Sequence, residues 1–159
     1  MLRTDPYAGA IFYLVMRGHM LQKLMRKTII AAITAFFASN TFADVVVIVH
    51  PSNNSTLDDR AVKRIFLGKE KKFSNGTRVT PINQADNDAR DTFDSNVLGR
   101  SSSQVAAYWS KLIFTGKGVP PKEVGGDAEV VAAVAADPSA IGYIDSSAVT
   151  GDVKSIPLN

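Results

Sequence analysis

Residues 44–50 read DVVVIVH, an unbroken apolar and largely β-branched run. A strand with one wet face alternates apolar with polar residues. A continuous run instead marks a strand buried on both faces, the pattern of covered, mostly parallel sheets. The segments that follow supply the covering layers of an α/β fold. Pro51-Ser52-Asn53-Asn54 ends the strand with turn chemistry. Thr56 and Asp59 form a capping-box-like pair that opens a helix; Leu57, Ala61 and Ile65 share its core face and Gly68 stops it. Residues 69–72 are a charged loop, Asn75-Gly76 a turn, and 78–83 a second strand whose length Pro81 limits. Asp88 caps a helix over 89–98, Ser102 another to Phe114, and Asp127 a fourth that ends at Asp137-Pro138. Tyr108, Trp109 and Phe114 read as core residues of an amphipathic helix. Residues 115–126 read as a Gly/Pro/Lys loop, 141–144 (IGYI) as a short strand and 153–156 as a last one.

The 159-residue chain has a formal net charge of +3 and a sequence pI of about 9.2. A basic balance suits nucleic acid or an anionic membrane, but its location matters. Residues 1–43 carry Arg3, Arg17, Lys23, Arg26 and Lys27 against Asp5 alone, while residues 44–159 hold 13 basic and 14 acidic side chains. With no basic–aromatic stripe either, the downstream domain is not expected to bind nucleic acid. The N-terminal order is Met25-Arg26-Lys27, an apolar run over 28–38, then Ser39-Asn40-Thr41-Phe42-Ala43. This basic, apolar, small-x-small order is that of a secretory signal peptide, with cleavage expected after Ala43. The runs 28–38 and 8–16 are each well short of the about 20 residues a membrane span needs, so no stable membrane anchor is expected. The expected division is an extension plus leader over 1–43, with translation starting at Met1, Met16, Met20 or Met25, and one periplasmic domain over 44–159.

The chain has no cysteine, which removes disulfides, thiolate metal sites, cysteine nucleophiles and a cysteine-linked lipid anchor. His50 is the one histidine of residues 44–159, which excludes a two-histidine zinc site and leaves no constellation for a histidine-based triad. Asp86-Asn87-Asp88 begins like a calcium loop and then fails, with Arg90 and Asp91 where a ligand and a glycine are required. No enzyme, cofactor or metal is expected.

Several segments, taken in order, carry a resemblance. They are Arg64-Ile65-Phe66-Leu67-Gly68-Lys69; Phe73 with Asn75-Gly76; Val79-Thr80-Pro81-Ile82-Asn83; Arg90-Asp91-Thr92-Phe93; Tyr108-Trp109 with Phe114-Thr115-Gly116-Lys117-Gly118; and Pro138-Ser139-Ala140-Ile141-Gly142-Tyr143-Ile144-Asp145. Together they resemble the periplasmic substrate-binding proteins of phosphate ABC transporters, in a short single-domain form. The resemblance implies a type II periplasmic-binding-protein-like fold, here a single lobe of three layers with a mostly parallel or mixed sheet. It also implies capture of phosphate or a related oxyanion for an inner-membrane ABC permease or a sensor. A single lobe would bind weakly or complete its cleft as a homodimer. In the family, a basic residue and a Ser-Gly-Thr turn before the next helix hold phosphate. The equivalent stretch here is Gln84-Ala85-Asp86-Asn87-Asp88-Ala89-Arg90, with Gln84 in the basic position and Asn87-Asp88-Ala89 replacing the hydroxyl turn.

The chemistry of α/β sheets gathers in loops at the carboxyl ends of strands. The candidate ligand-binding residues are therefore Ser52, Asn53 and Asn54 after the first strand, and Gln84, Asn87, Asp88, Ala89 and Arg90 after the second; the loop near Asp145 is a third position. Helix N-termini hold anions through unpaired N–H groups and a partial positive charge. Two readings stand: an oxyanion-binding protein for transport or sensing, and a secreted non-enzymatic interaction module that kept the fold and lost ligand capture.

Overall fold

The run at 44–50 forms strand β1 (Val45–Val49), and its alternate side chains feed two different cores. The computed structural model describes residues 44–156; the leader and start-site expectations for 1–43 lie outside them. In order the elements are β1, α1 (Asp59–Phe66), β2 (Thr80–Gln84), α2 (Asp88–Asn96), α3 (Ser102–Phe114), β3 (Lys122–Val124), α4 (Asp127–Ala136), β4 (Ala140–Asp145), a 3₁₀ turn (Ser146–Ala148) and β5 (Lys154–Ile156).

The five strands form one sheet in the order β3-β2-β4-β1-β5. β2 runs parallel to β3 and β4, whereas β1 runs antiparallel to β4 and β5, with Val45 opposite Asp145 and Val49 opposite Ile141. The sheet is therefore mixed. The doubly buried run reported that both faces of β1 are covered and did not report its direction, because an antiparallel strand between two helical layers needs the same composition. Pro81 is accommodated because β3 begins its pairing only at Ile82, so the side where proline lacks an N–H is still open.

One face of the sheet carries Val47, Val49, Ile141 and Tyr143, packed with Val62, Ile65 and Phe66 of α1, Phe93 of α2, and Val105 and Trp109 of α3. The other carries Ile48, Ile82, Ala140 and Ile144, packed with Val130 and Val134 of α4. This is the three-layer α/β arrangement. Gly142 sets the closeness of α4: a Cβ there would lie 2.4 Å from Val130 Cγ1 and 3.3 Å from Val134 Cγ2.

The helix starts differ from expectation by a residue or more. α1 is capped by Asp58, whose Oδ1 accepts from the Ala61 N–H at 2.7 Å, and Val62 rather than Ala61 is fully buried. α2 is capped by Asn87 rather than Asp88, and α3 by Ser101 in a capping box with Gln104 rather than by Ser102. α4 has Gly126 at its cap, which frees the Asp127 side chain for other bonds. Each of the three side-chain caps, Asp58, Asn87 and Ser101, sits three residues before the N–H it accepts, the reach of a short oxygen-bearing side chain. Trp109 is buried and Tyr108 partly so, as expected, but Phe114 is 93% exposed. Within the loop expected over 115–126, residues Lys122–Val124 form the short edge strand β3.

Candidate functional site

β2 and β4 are parallel, so their carboxyl ends share one edge of the sheet, and the N-termini of α2 and α4 converge there. Phe93 of α2 stacks on Tyr143 of β4 with centroids 3.9 Å apart and planes 3° from parallel, and Phe66 meets both rings edge-on. These contacts seat α2 so that Asn87 and Arg90 sit beside the end of β2.

Gln84 is fully buried at the centre of this edge. Its Nε2 donates to Asp127 Oδ1 at 2.7 Å and to the Tyr143 carbonyl at 2.8 Å, and its Oε1 accepts from Asn87 Nδ2 at 2.7 Å. Asn87 Oδ1 in turn accepts the Arg90 N–H at 2.9 Å, which caps α2. The Arg90 Nη1 donates to the Gln84 carbonyl at 3.0 Å and to Glu123 Oε1 at 2.7 Å. Its Nε lies 3.7 Å from Asp94 Oδ2, and neither of those two atoms has a hydrogen-bond partner. The Tyr143 hydroxyl donates to Asn83 Oδ1 and accepts the Gln84 N–H at 3.3 Å. Asp127 Oδ1 also accepts the Asp145 N–H at 3.3 Å.

Two acids respond to these surroundings in opposite directions. Burial pushes the Asp94 carboxyl above the usual carboxylate range, although the Ser102 side chain and the Arg90 charge oppose it. Asp145, at the exposed end of β4, is held below that range by hydrogen bonds from the Ser147 hydroxyl and N–H. Burial also drives the Tyr143 phenol upward, keeping it a neutral hydrogen-bonding group. No group of three or more His, Asp or Glu side chains arranged to hold a metal ion occurs among the described residues.

The structure brings together Gln84, Asn87, Asp88, Ala89 and Arg90, with Asp145 nearby through Asp127. It does not bring Ser52, Asn53 and Asn54 to them. Because β1 is antiparallel to β4, its carboxyl end lies at the opposite edge of the sheet. There Ser52 Oγ contacts His50 Nδ1 at 2.7 Å, buried Asn53 accepts the Ser55 N–H at 2.8 Å, and Asn54 is exposed. These residues shape their own turn. Four participants escaped the sequence reading: Asn83, Glu123, Asp127 and Tyr143. Tyr143 stands inside the IGYI motif, which was a usable signal. Glu123 lies on a three-residue strand too short to announce itself.

Comparison with known proteins adds the fold. No protein-family profile and no curated protein matches the sequence. Solved structures do match. An ABC-type phosphate transport receptor from Vibrio cholerae aligns with a TM-score of 0.56 at 17% identity, over 72% of this chain and 45% of that one. A putative phosphate ABC transporter substrate-binding protein with bound phosphate from Clostridium perfringens aligns at 0.57 and 21% identity, over 72% and 44%. A possible phosphate binding protein from Planctomyces limnophilus aligns at 0.52 and 12% identity, over 72% and 41%. The chain shares their fold. It spans less than half the length of each of these receptors. The shared fold comprises the α/β layers and the mixed sheet.

Proposed function

We propose that this protein binds phosphate or a related small oxyanion at the edge formed by the ends of β2 and β4, without catalysis, in the service of ABC-type transport or sensing. The observation that carries this reading is the convergence of two helix N-termini on one buried cluster holding Arg90, in a fold shared with phosphate transport receptors. Helix termini supply N–H donors and partial positive charge, and Arg90 supplies a full charge in a setting mostly sheltered from water. Asp88 and Ala89 place their backbone in the first turn of α2, and Asn87 and Gln84 hold that turn in position. Glu123 occupies the arginine now, but its side chain is 54% exposed, so an anion would exchange with it at modest cost. Export through the leader expected over 1–43 would put the domain in the periplasm, where an ABC permease or a sensor would be its partner.

Calorimetric titration with phosphate, then sulfate, tests the reading. Saturable heat and a ligand-dependent rise in Tm are expected, since a ligand that binds the native state must stabilise it. Arg90→Lys keeps the charge and loses the bond to the Gln84 carbonyl, and it should weaken binding. Neither heat nor a thermal shift at millimolar anion would reject oxyanion capture.

A second reading, an exported interaction module without ligand capture, draws on a different observation. Every polar atom of the Gln84 side chain already has a protein partner, and Glu123 already pairs with Arg90. On this reading the anion titration is silent, while an envelope protein is retained by both the native protein and Arg90→Lys.

A further inference from the structure

The last turn of α3 places apolar side chains in water. Phe114 is 93% exposed, Val119 87% and Ile113 54%. This tip is built rather than loose. The Gly116 N–H donates to the Ile113 carbonyl at 3.0 Å and the Lys117 N–H to the Leu112 carbonyl at 2.9 Å. Gly116 takes a φ of 65°, and Gly118 lies so close to the core that a Cβ there would come within 3.2 Å of Trp109 Cζ3. The turn therefore rests on Trp109 while Phe114 and Val119 stay exposed.

Along the segment that carries the tip, the charge is one-sided. Lys111, Lys117 and Lys122 are exposed, and none belongs to an ion pair among the described residues. Residues 101–122 contain these three lysines and no carboxylate, whereas the rest of 44–159 holds ten basic and fourteen acidic residues. A basic, apolar tip thus stands on an otherwise acidic domain.

We propose that this tip docks reversibly on an anionic lipid surface, with Phe114 and Val119 entering the headgroup boundary and the three lysines meeting lipid phosphates. A second copy fits poorly, because a two-fold contact would set the lysines against their own images and three apolar side chains fall far short of a stable interface, which buries about 1,200 Å² or more. Among anionic partners, a bilayer suits a protruding ring flanked by lysines, which can bury their stems while their ammonium groups stay wet. This is a weak surface association, compatible with the absence of any helix among the described residues long and apolar enough to cross a membrane. It does not depend on the oxyanion reading.

The test is co-sedimentation of the protein, as recovered from expressing cells, with vesicles of phosphatidylglycerol and phosphatidylcholine, against phosphatidylcholine alone. Emission of Trp109, the only tryptophan of the chain, reports contact at the tip. Binding to the anionic vesicles is expected, weakening steeply with salt. Replacing the three lysines by glutamine should lower affinity about fivefold per lysine, close to a hundredfold together. Phe114→Ser should lower it about tenfold, with Tm unchanged because the ring makes few contacts in the fold. The proposal is overturned by no preference for anionic vesicles, or by binding that both variants retain. It is equally overturned if Phe114→Ser abolishes self-association or capture of a protein while vesicles bind neither form.

Discussion

Glu123→Gln should tighten phosphate binding. The Glu123 carboxylate lies 2.7 Å from Arg90 Nη1, and its side chain is 54% exposed against 11% for the arginine. Two costs of anion entry disappear with the charge. Breaking a pair whose carboxylate is largely exposed costs about 0.2–1 kcal/mol. Repulsion between the displaced carboxylate and one negative charge on the ligand, about 4 Å apart in largely aqueous surroundings, costs about 1 kcal/mol. The sum, roughly 1–2 kcal/mol, corresponds to roughly 5- to 30-fold in affinity. Glutamine keeps the length of the side chain and its carbonyl oxygen, so Arg90 retains a weak neutral partner and the fold is spared. Calorimetric titrations of both forms with phosphate, at 0.05 and 0.5 M salt, measure the difference. The gain should be largest at low salt and shrink at high salt, because exposed charges are screened. Equal or weaker binding by Glu123→Gln, with the native protein binding measurably, would refute the exchange of Glu123 for ligand. Silence in both proteins would refute oxyanion capture itself.

Two further outcomes concern the framework that holds the site. Gly142→Ala should destabilise the domain by about 1–3 kcal/mol, since its new methyl would sit 2.4 Å from Val130 Cγ1. Combined with Val130→Ala, the loss measured by chemical denaturation should fall below the sum of the single losses, and strict additivity would contradict direct packing of α4 on β4. Asp94→Asn should raise Tm at neutral pH. Burial lifts the Asp94 pKa in the fold above its unfolded value, so stability linked to this group is complete below the unfolded pKa and declines as pH rises through the folded one. The variant escapes that decline, so its advantage should vanish near pH 3, and an advantage that grew on acidification would reverse the argument.

The layered fold was legible because its cause is local. The run at 44–50 needed cover on both faces, and the glycines at 68, 99 and 116 do sit at positive φ just after α1, α2 and α3. Caps were legible to within a residue or two, since Ser, Asp and Asn cluster at these helix starts and only three-dimensional reach decides which oxygen meets the N–H. Phe114 was misplaced for a similar reason: helical spacing assigns a face along the axis, but α3 reaches its end at this residue, and the covering core stops at Trp109 and Leu112.

The site depended on something no local pattern carries, the direction of β1. With β1 parallel, residues 52–54 would have faced Gln84 across a shared edge. Reversed, they lie at the far end of the sheet, and the groups that meet Gln84 come instead from Asp127 and Tyr143, each more than forty positions away in sequence. Burial of a strand is set by composition, but its direction is set by which connections the later elements permit. Here α4 must cross the second face to deliver β4 parallel to β2, and β1 then fills the remaining edge of β4 in the opposite sense. The antiparallel β1 brings its amino end to the candidate edge, where the Asp44 carbonyl accepts the Ser146 N–H at 2.8 Å. Asp44 therefore lies beside Asp145, at the same end of the sheet as the proposed anion site.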